Sequence, residues 1–187
     1  MFNSLKPTQG NLLLSEPFML DSNFERSVIL LCEHNTEGTL GFILNNPTAL
    51  NLSDVIEDIE NKNFKIFIGG PVASENLFFI HQAYDKFQSG HHIIEDVYLG
   101  NDFEKLIFLI KENLILPNEV KLFFGYSGWE PDQLNSEIDQ NSWAVHKAFD
   151  TSLFFIDDGE DLWKQALISL GPKYAHIANF PKSPNLN

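Results

Sequence analysis

Apolar residues in this chain fall into short runs separated by clusters of glycine, proline and asparagine, the pattern of a strand-rich domain. The runs at 11–15, 27–33, 39–44 and 120–126 have strand length. Those at 27–33 and 39–44 are apolar at successive positions rather than alternate ones, which predicts a strand pair covered on both faces. His34-Asn35-Thr36-Glu37-Gly38, between the second and third runs, predicts a hairpin in which Gly38 is free to take a positive φ. Runs at 64–68, 77–81 and 143–147 predict further strands. Gly69-Gly70-Pro71 stops the first of these, and the segment up to Asn76 forms either a tight turn or a backbone-lined pocket. The polar segment 82–96 reads as an excursion from the sheet.

Spacings of three and four residues predict the helices. Leu52, Val55, Ile56 and Ile59 predict one over 51–60, after Asn45-Asn46-Pro47-Thr48 has ended the preceding strand. Asn101 with Glu104 three residues later has the form of a capping box, and Phe103, Leu106, Ile107 and Ile110 supply a buried face behind it. Two more helices are predicted at 131–140, with Pro131 in the first turn, and at 161–170, ended by Gly171-Pro172. The stretch 120–138 organises the rest: a central strand, a glycine-hinged turn carrying Tyr126 and Trp129, and the helix opening at Pro131.

Composition narrows the possible partners. A chain of 187 residues with 43% hydrophobic content can bury its core in one domain, expected over 1–180, with 181–187 as a disordered tail. The net charge is −14, Arg26 is the single arginine, and the lysines are scattered, so a nucleic-acid face is not expected. Cys32 is the only cysteine, which excludes an internal disulfide and a cysteine-based zinc site. No apolar run approaches the ~20 residues of a membrane span, and the first residues lack a signal-peptide layout. The expected location is the cytoplasm, without membrane association.

Candidate chemistry is sparse. Ser127 sits between a strand and a helix, but the nucleophile-elbow pattern needs glycine where Trp129 stands, so a structural turn is favoured. Gly69-Gly70-Pro71 lacks the spacing of a dinucleotide or phosphate-binding loop. Adjacent His91 and His92 would point to opposite faces of a strand and make no metal site. His81, ending an apolar strand, reads as a buried structural histidine before it reads as a general base, and Cys32 as a small core residue. No catalytic residue, metal or cofactor is assigned. Two sites are carried forward. One is a binding surface of Asn45, Asn46, Pro47, Tyr126, Trp129, Glu130 and Gln133, where aromatic and polar residues gather at turns. The other is a pocket between the glycine-rich turns, formed by Gly69, Gly70, His81, Ser127 and Gly128, which would suit a small-molecule sensor or a hydrolase-like enzyme.

Taken in order, GNLLLSEPFM, FERSVILLCEH, GTLGFILNNP, GGPV, LFFIH, GYSGWEPDQLNSEI, the tryptophan at Trp143 and LWKQALISLG resemble the AlgH/YqgE family of small bacterial proteins, over about residues 10–172. The family usually has arginine where this chain has Asn46, so no role of that arginine carries over. The resemblance implies an α+β fold with coiled, partly barrel-like mixed or antiparallel sheets flanked by helices. It brings no activity with it, and the label of transcriptional regulator that such proteins often carry names no DNA-binding element. The expected function is that of a non-catalytic regulatory module binding another macromolecule, a protein. The pocketed sensor or enzyme is the alternative, and a regulator acting through DNA is the third reading.

Overall fold

The continuous apolar runs become strands covered on both faces. The computed structural model describes residues 5–60, 63–147, 150–156 and 159–181. In chain order its elements are β1 (Leu12–Ser15), β2 (Val28–Asn35), β3 (Gly38–Ile43), β4 (Pro47–Asn51), β5 (Lys65–Ile68), β6 (Val72–His81), α1 (Tyr84–Phe87), β7 (His91–Ile94), β8 (Val97–Leu99), α2 (Phe103–Lys111), β9 (Val120–Trp129), α3 (Gln133–Asp139), β10 (Trp143–His146), α4 (Gly159–Ser169) and α5 (Pro172–Ala175). The first half-sheet runs β10-β1-β2-β3 and joins the C-terminal end of β9, all antiparallel. The second half places the N-terminal end of β9 between antiparallel β6 and parallel β5. β4 lies beyond β5, and β8 and β7 lie beyond β6. The strand path does not close on itself, so this is an α+β fold built on an open, mixed sheet.

One glycine lets β9 serve both halves. Val120 to Phe124 pair with β5 and β6, whereas Ser127 to Trp129 pair with β3. Gly125 between them has φ +66°. A Cβ there would collide with the Gly70 carbonyl and stand 2.8 Å from that of Val72, so only glycine fits.

Alternation along the strands sorts their side chains into separate cores. Leu12, Leu14, Val28, Leu30 and Cys32 join Phe42, Phe67, Phe123 and the α4 residues Leu162, Trp163, Ala166 and Leu167. Leu13, Ile29 and Leu31, on the opposite face, pack with Trp129, Trp143 and the α3 residues Leu134 and Ile138. A third cluster lies under α2, where Leu106, Leu109 and Ile110 meet Ile66, Phe79 and Leu122. Burial of this kind stabilises by about 25 cal/mol per Å² of apolar surface.

Several elements differ from their sequence-based expectations. The segment expected to be helical over 51–60 forms one 3-10 turn, Leu52–Asp54, followed by further turns. Leu52, Ile56 and Ile59 do pack into the α2 cluster, so the periodicity marked burial, but aspartates and β-branched residues at 54–59 have low helix propensity. Pro47 opens a strand rather than closing one; β4 is an edge strand, where a missing N–H is tolerated. Gly69-Gly70-Pro71 leads almost directly into β6, whose register slips between Val72 and Leu77 with Ala73 at φ +49°. The expected excursion at 82–96 contains α1, β7 and the turn into β8. The cap of α2 is Asp102, which accepts from the Lys105 amide at 2.8 Å, and not Asn101. The glycine-hinged turn is absent as such, since β9 continues through it to Trp129, and α3 begins at Gln133 after Asp132 at φ +63°. The tail expected to be disordered lies, from residue 182 on, outside the described residues.

Candidate functional site

Pairing of β2, β3 and β9 creates an open trough at one end of the first half-sheet. Glu33 stands opposite Leu40, and Leu40 opposite Gly128, so one row crosses all three strands. Tyr126, two residues before Gly128, points to the same face by strand alternation, Glu130 follows directly after the end of β9, and Val72 of β6 stands across from Tyr126. Together with Glu37 of the hairpin turn and Gln133 of α3 they line a cleft of about 400 Å³. A second cleft of about 380 Å³, beyond the same hairpin, shares Asn35, Thr39 and Glu130 and adds His34, whose Nδ1 lies 2.7 Å from the Thr39 hydroxyl oxygen.

Electrostatically the first cleft is one-signed. Its charged lining is Glu33, Glu37 and Glu130. Among the described residues, none of these carboxylates has an ion pair or a hydrogen bond. The wall behind them is the half-buried Tyr126 ring, held edge-on to Phe78 with centroids 5.7 Å apart.

The cleft has a rigid back. Trp129 is 6% exposed and Trp143 is 2% exposed, and both indoles donate to Oε2 of Glu137, at 2.9 and 2.8 Å. Gln133 donates to the other oxygen of Glu137 at 2.9 Å and accepts from the Glu130 amide at 2.9 Å. The rings of Trp129 and Trp143 meet edge to face, with Phe24 packed against both. One carboxylate thus ties α3 to β9 and β10. Nothing in the helical pattern singled out Glu137 from its solvated neighbours; its place eight residues after one tryptophan and six before another was the available signal.

The expected binding surface is therefore divided. Tyr126, Glu130 and Gln133 line the cleft, while Trp129 mainly forms its structural back. Asn45 and Asn46 lie beyond the other end of β3, on a smaller cleft of about 230 Å³ with Arg26 and Ser27. Asn45 has a structural task there: its side chain accepts from the Val28 amide at 2.8 Å and donates to the Arg26 carbonyl at 2.9 Å. Pro47 pairs with Phe67 on the edge of the second half-sheet.

The expected pocket between the glycine turns is filled by backbone. A Cβ on Gly69 or Gly70 would strike the Gly125 or Tyr126 carbonyl. Ser127 is fully buried and donates to the Gly69 carbonyl at 3.0 Å. Gly128 belongs to the trough instead. His81 pairs with Val120 and Ser127 with Gly41, seven positions further along β9, a span of about 23 Å. The two do not meet. His81 is enclosed by Phe87, Tyr98 and Phe79, and burial lowers its pKa to about 4. His146 is also lowered by burial, and its Nε2 lies 2.7 Å from Ser169 Oγ, whose own proton goes to the Ala166 carbonyl at 2.8 Å. Burial pushes the Cys32 thiol well up, away from the thiolate. Among the described residues no group of three His, Cys, Asp or Glu side chains could hold a metal ion, and no helix is long and apolar enough to cross a membrane.

An open mixed sheet hinged on a glycine in its central strand, with a tryptophan–glutamate–tryptophan clamp behind a surface cleft, defines a small α+β domain. The sequence model of the AlgH-like family, DUF179, matches residues 12–175, and the chain belongs to that family. A UPF0301 protein of Cytophaga hutchinsonii is 41% identical over 181 residues, spanning 96% of this chain and 99% of the relative. One of Parabacteroides distasonis is 40% identical over 187 residues, spanning 99% and 94%. The solution structure of the AlgH protein from Pseudomonas aeruginosa superposes with a TM-score of 0.73 at 27% identity, covering 96% of this chain and 98% of that one. Protein DIP2367 from Corynebacterium diphtheriae shares the fold, with a TM-score of 0.77 at 23% identity and 96% and 95% coverage.

Proposed function

We propose that this protein is a non-catalytic cytoplasmic regulatory module that docks another protein on the Tyr126 cleft. The observation that carries the reading is the cleft itself, a space of about 400 Å³ with an aromatic wall and glutamates free of partners among the described residues. Its rigid back favours recognition, since a preformed surface loses little conformational freedom on binding. Its chemistry does not favour turnover: the cleft lining includes no histidine, cysteine, lysine or serine, and Ser127, the serine of β9 beside it, is buried against a carbonyl. The negative lining also opposes a phosphate backbone, which weighs against the reading as a DNA-acting regulator.

Capture from an extract of the native cells tests this. Immobilised wild-type protein retains a discrete partner that Glu37→Lys loses, with the variant's circular dichroism and melting temperature unchanged. A control change at exposed Glu112, Glu112→Lys, retains it. Identical capture by wild type and Glu37→Lys overturns the proposal.

A further inference from the structure

We infer that the segment from Gln82 to Gly90, which carries α1, is an acid-released flap, and that His81 is its catch. His81 ends β6 and is fully buried. Its ring is stacked on Phe87 of α1, with centroids 4.1 Å apart, and on its β8 neighbour Tyr98, at 5.6 Å. Nδ1 accepts from the Ala83 amide at 3.4 Å, which leaves the proton of the neutral ring on Nε2. Nε2 is buried without a hydrogen-bond partner among the described residues, and the chain passes so close that a Cβ on Gly90 would stand 3.0 Å from it. The start, middle and end of the flap thus all close on one neutral imidazole.

A second proton has no place in this arrangement. It would land on Nδ1, so that the new N–H and the Ala83 amide face each other as two donors. It would also bring a buried charge that no carboxylate meets. Tyr98 is the titratable group stacked on the ring, and Tyr84 and His92 contact Tyr98 in turn. On α1, Asp85 is exposed and Lys86 is held by Glu119, its Nζ 2.7 Å from both carboxylate oxygens. On β9, Lys121 donates to the Ile156 carbonyl at 2.7 Å; His91 and Asp96, at the two ends of the β7–β8 hairpin, are exposed. Burial lowers the His81 pKa to about 4, with the Ser89 backbone opposing the shift.

The flap is the part that gives way. α1 has four residues, too few to hold a helix on their own, and Phe87 is its buried side chain. Leu77 to His81 are held independently, by pairing with Val120 to Phe124 of β9. Opening the flap therefore leaves the sheet in place and bares the cluster under α2, where Ala83 and Phe87 pack with Phe79 and Leu106. The closed flap prefers the neutral ring, so its stability is complete above about pH 6.5 and is lost as pH falls towards 4. In acid the protein presents an apolar surface that it hides at neutral pH.

Native-state hydrogen exchange of the full chain, read by NMR and corrected for the intrinsic pH dependence of exchange, tests this at the amides of Lys86, Phe87 and Gln88, which bond within the flap. Between pH 7.5 and 5 their protection is expected to fall by as much as about 30-fold, while the amides of Leu122, Phe123 and Phe124 keep theirs. His81→Phe keeps an aromatic ring in the stack and is expected to remove the fall. Glu119→Gln, which takes away the flap's ion pair, is expected to leave it. The imidazole ¹⁵N shifts of the wild type need no variant: at pH 5 the His81 ring is expected to be neutral, with its proton on Nε2. Flap protection that does not change with pH, protection lost in step with β9, a fall that survives His81→Phe or disappears in Glu119→Gln, or a His81 ring charged at pH 5 in the native protein each overturns the inference.

Discussion

Replacing Glu137→Ala leaves two buried indole N–H groups without an acceptor, since both Trp129 and Trp143 donate to the same oxygen. An unsatisfied buried donor costs about 1–3 kcal/mol, so the pair should cost about 2–6 kcal/mol. At about 2–4 °C per kcal/mol for a chain of this length, a central value near 4 kcal/mol lowers the melting temperature by about 8–16 °C. Gln133 is exposed, and its lost contact adds little. Urea unfolding followed by tryptophan fluorescence reads both the stability and the environment of the two rings. Glu137→Gln keeps an oxygen able to accept from both indoles and should cost only about 1 kcal/mol. Combining Glu137→Ala with Trp129→Phe should cost less than the sum of the single changes, because the second removes a donor the first has orphaned. If Glu137→Ala melts within a degree or two of wild type, or no lower than a change at exposed Glu75, the clamp is not what joins α3 to the sheet.

Three further outcomes follow from other parts of the fold. Burial lowers the His81 pKa below the ordinary histidine value to about 4, so its contribution is complete above about pH 6.5 and is lost as pH falls towards 4, at no more than about 1.4 kcal/mol per pH unit. His146 shifts in the same direction, and His81→Phe should flatten part of the slope in pH-dependent urea titrations; an unchanged slope would contradict this. Gly125→Ala places a Cβ against the Gly70 carbonyl in a left-handed conformation and should leave little folded protein, judged by soluble yield and circular dichroism, whereas Gly159→Ala, with its nearest contact at 4.0 Å, should not destabilise. Cys32, fully buried with its thiol pushed up, should react with a thiol reagent only as fast as the chain unfolds; rapid labelling of the native protein would refute its burial.

The strands were legible in sequence where burial was two-sided. Val28 to Cys32 feed alternate cores, and an unbroken apolar run is the direct record of that. Leu52, Ile56 and Ile59 are packed inward as helical spacing suggested, but spacing records which residues are buried, not which backbone carries them. Gly125 was legible as unusual but not as a strand kink, because that role depends on Gly70 arriving from 55 residues earlier. The site was half visible for the same reason. Tyr126, Glu130 and Gln133 are close in sequence, whereas Glu33, Glu37 and Val72 join them only through the β2–β3–β9 register and the pairing of β6. Pairing register is a property of the assembled sheet, and single-strand patterns do not contain it.

The most direct test of the docking surface places a photo-crosslinking amino acid at position 37, in the turn beside the cleft, and another at position 112, just past the end of α2, and irradiates living cells. The account predicts a discrete crosslinked protein at 37 that is absent at 112 and disappears when Glu33→Lys and Glu130→Lys are introduced. No crosslink at 37, or the same products from both positions, would contradict it.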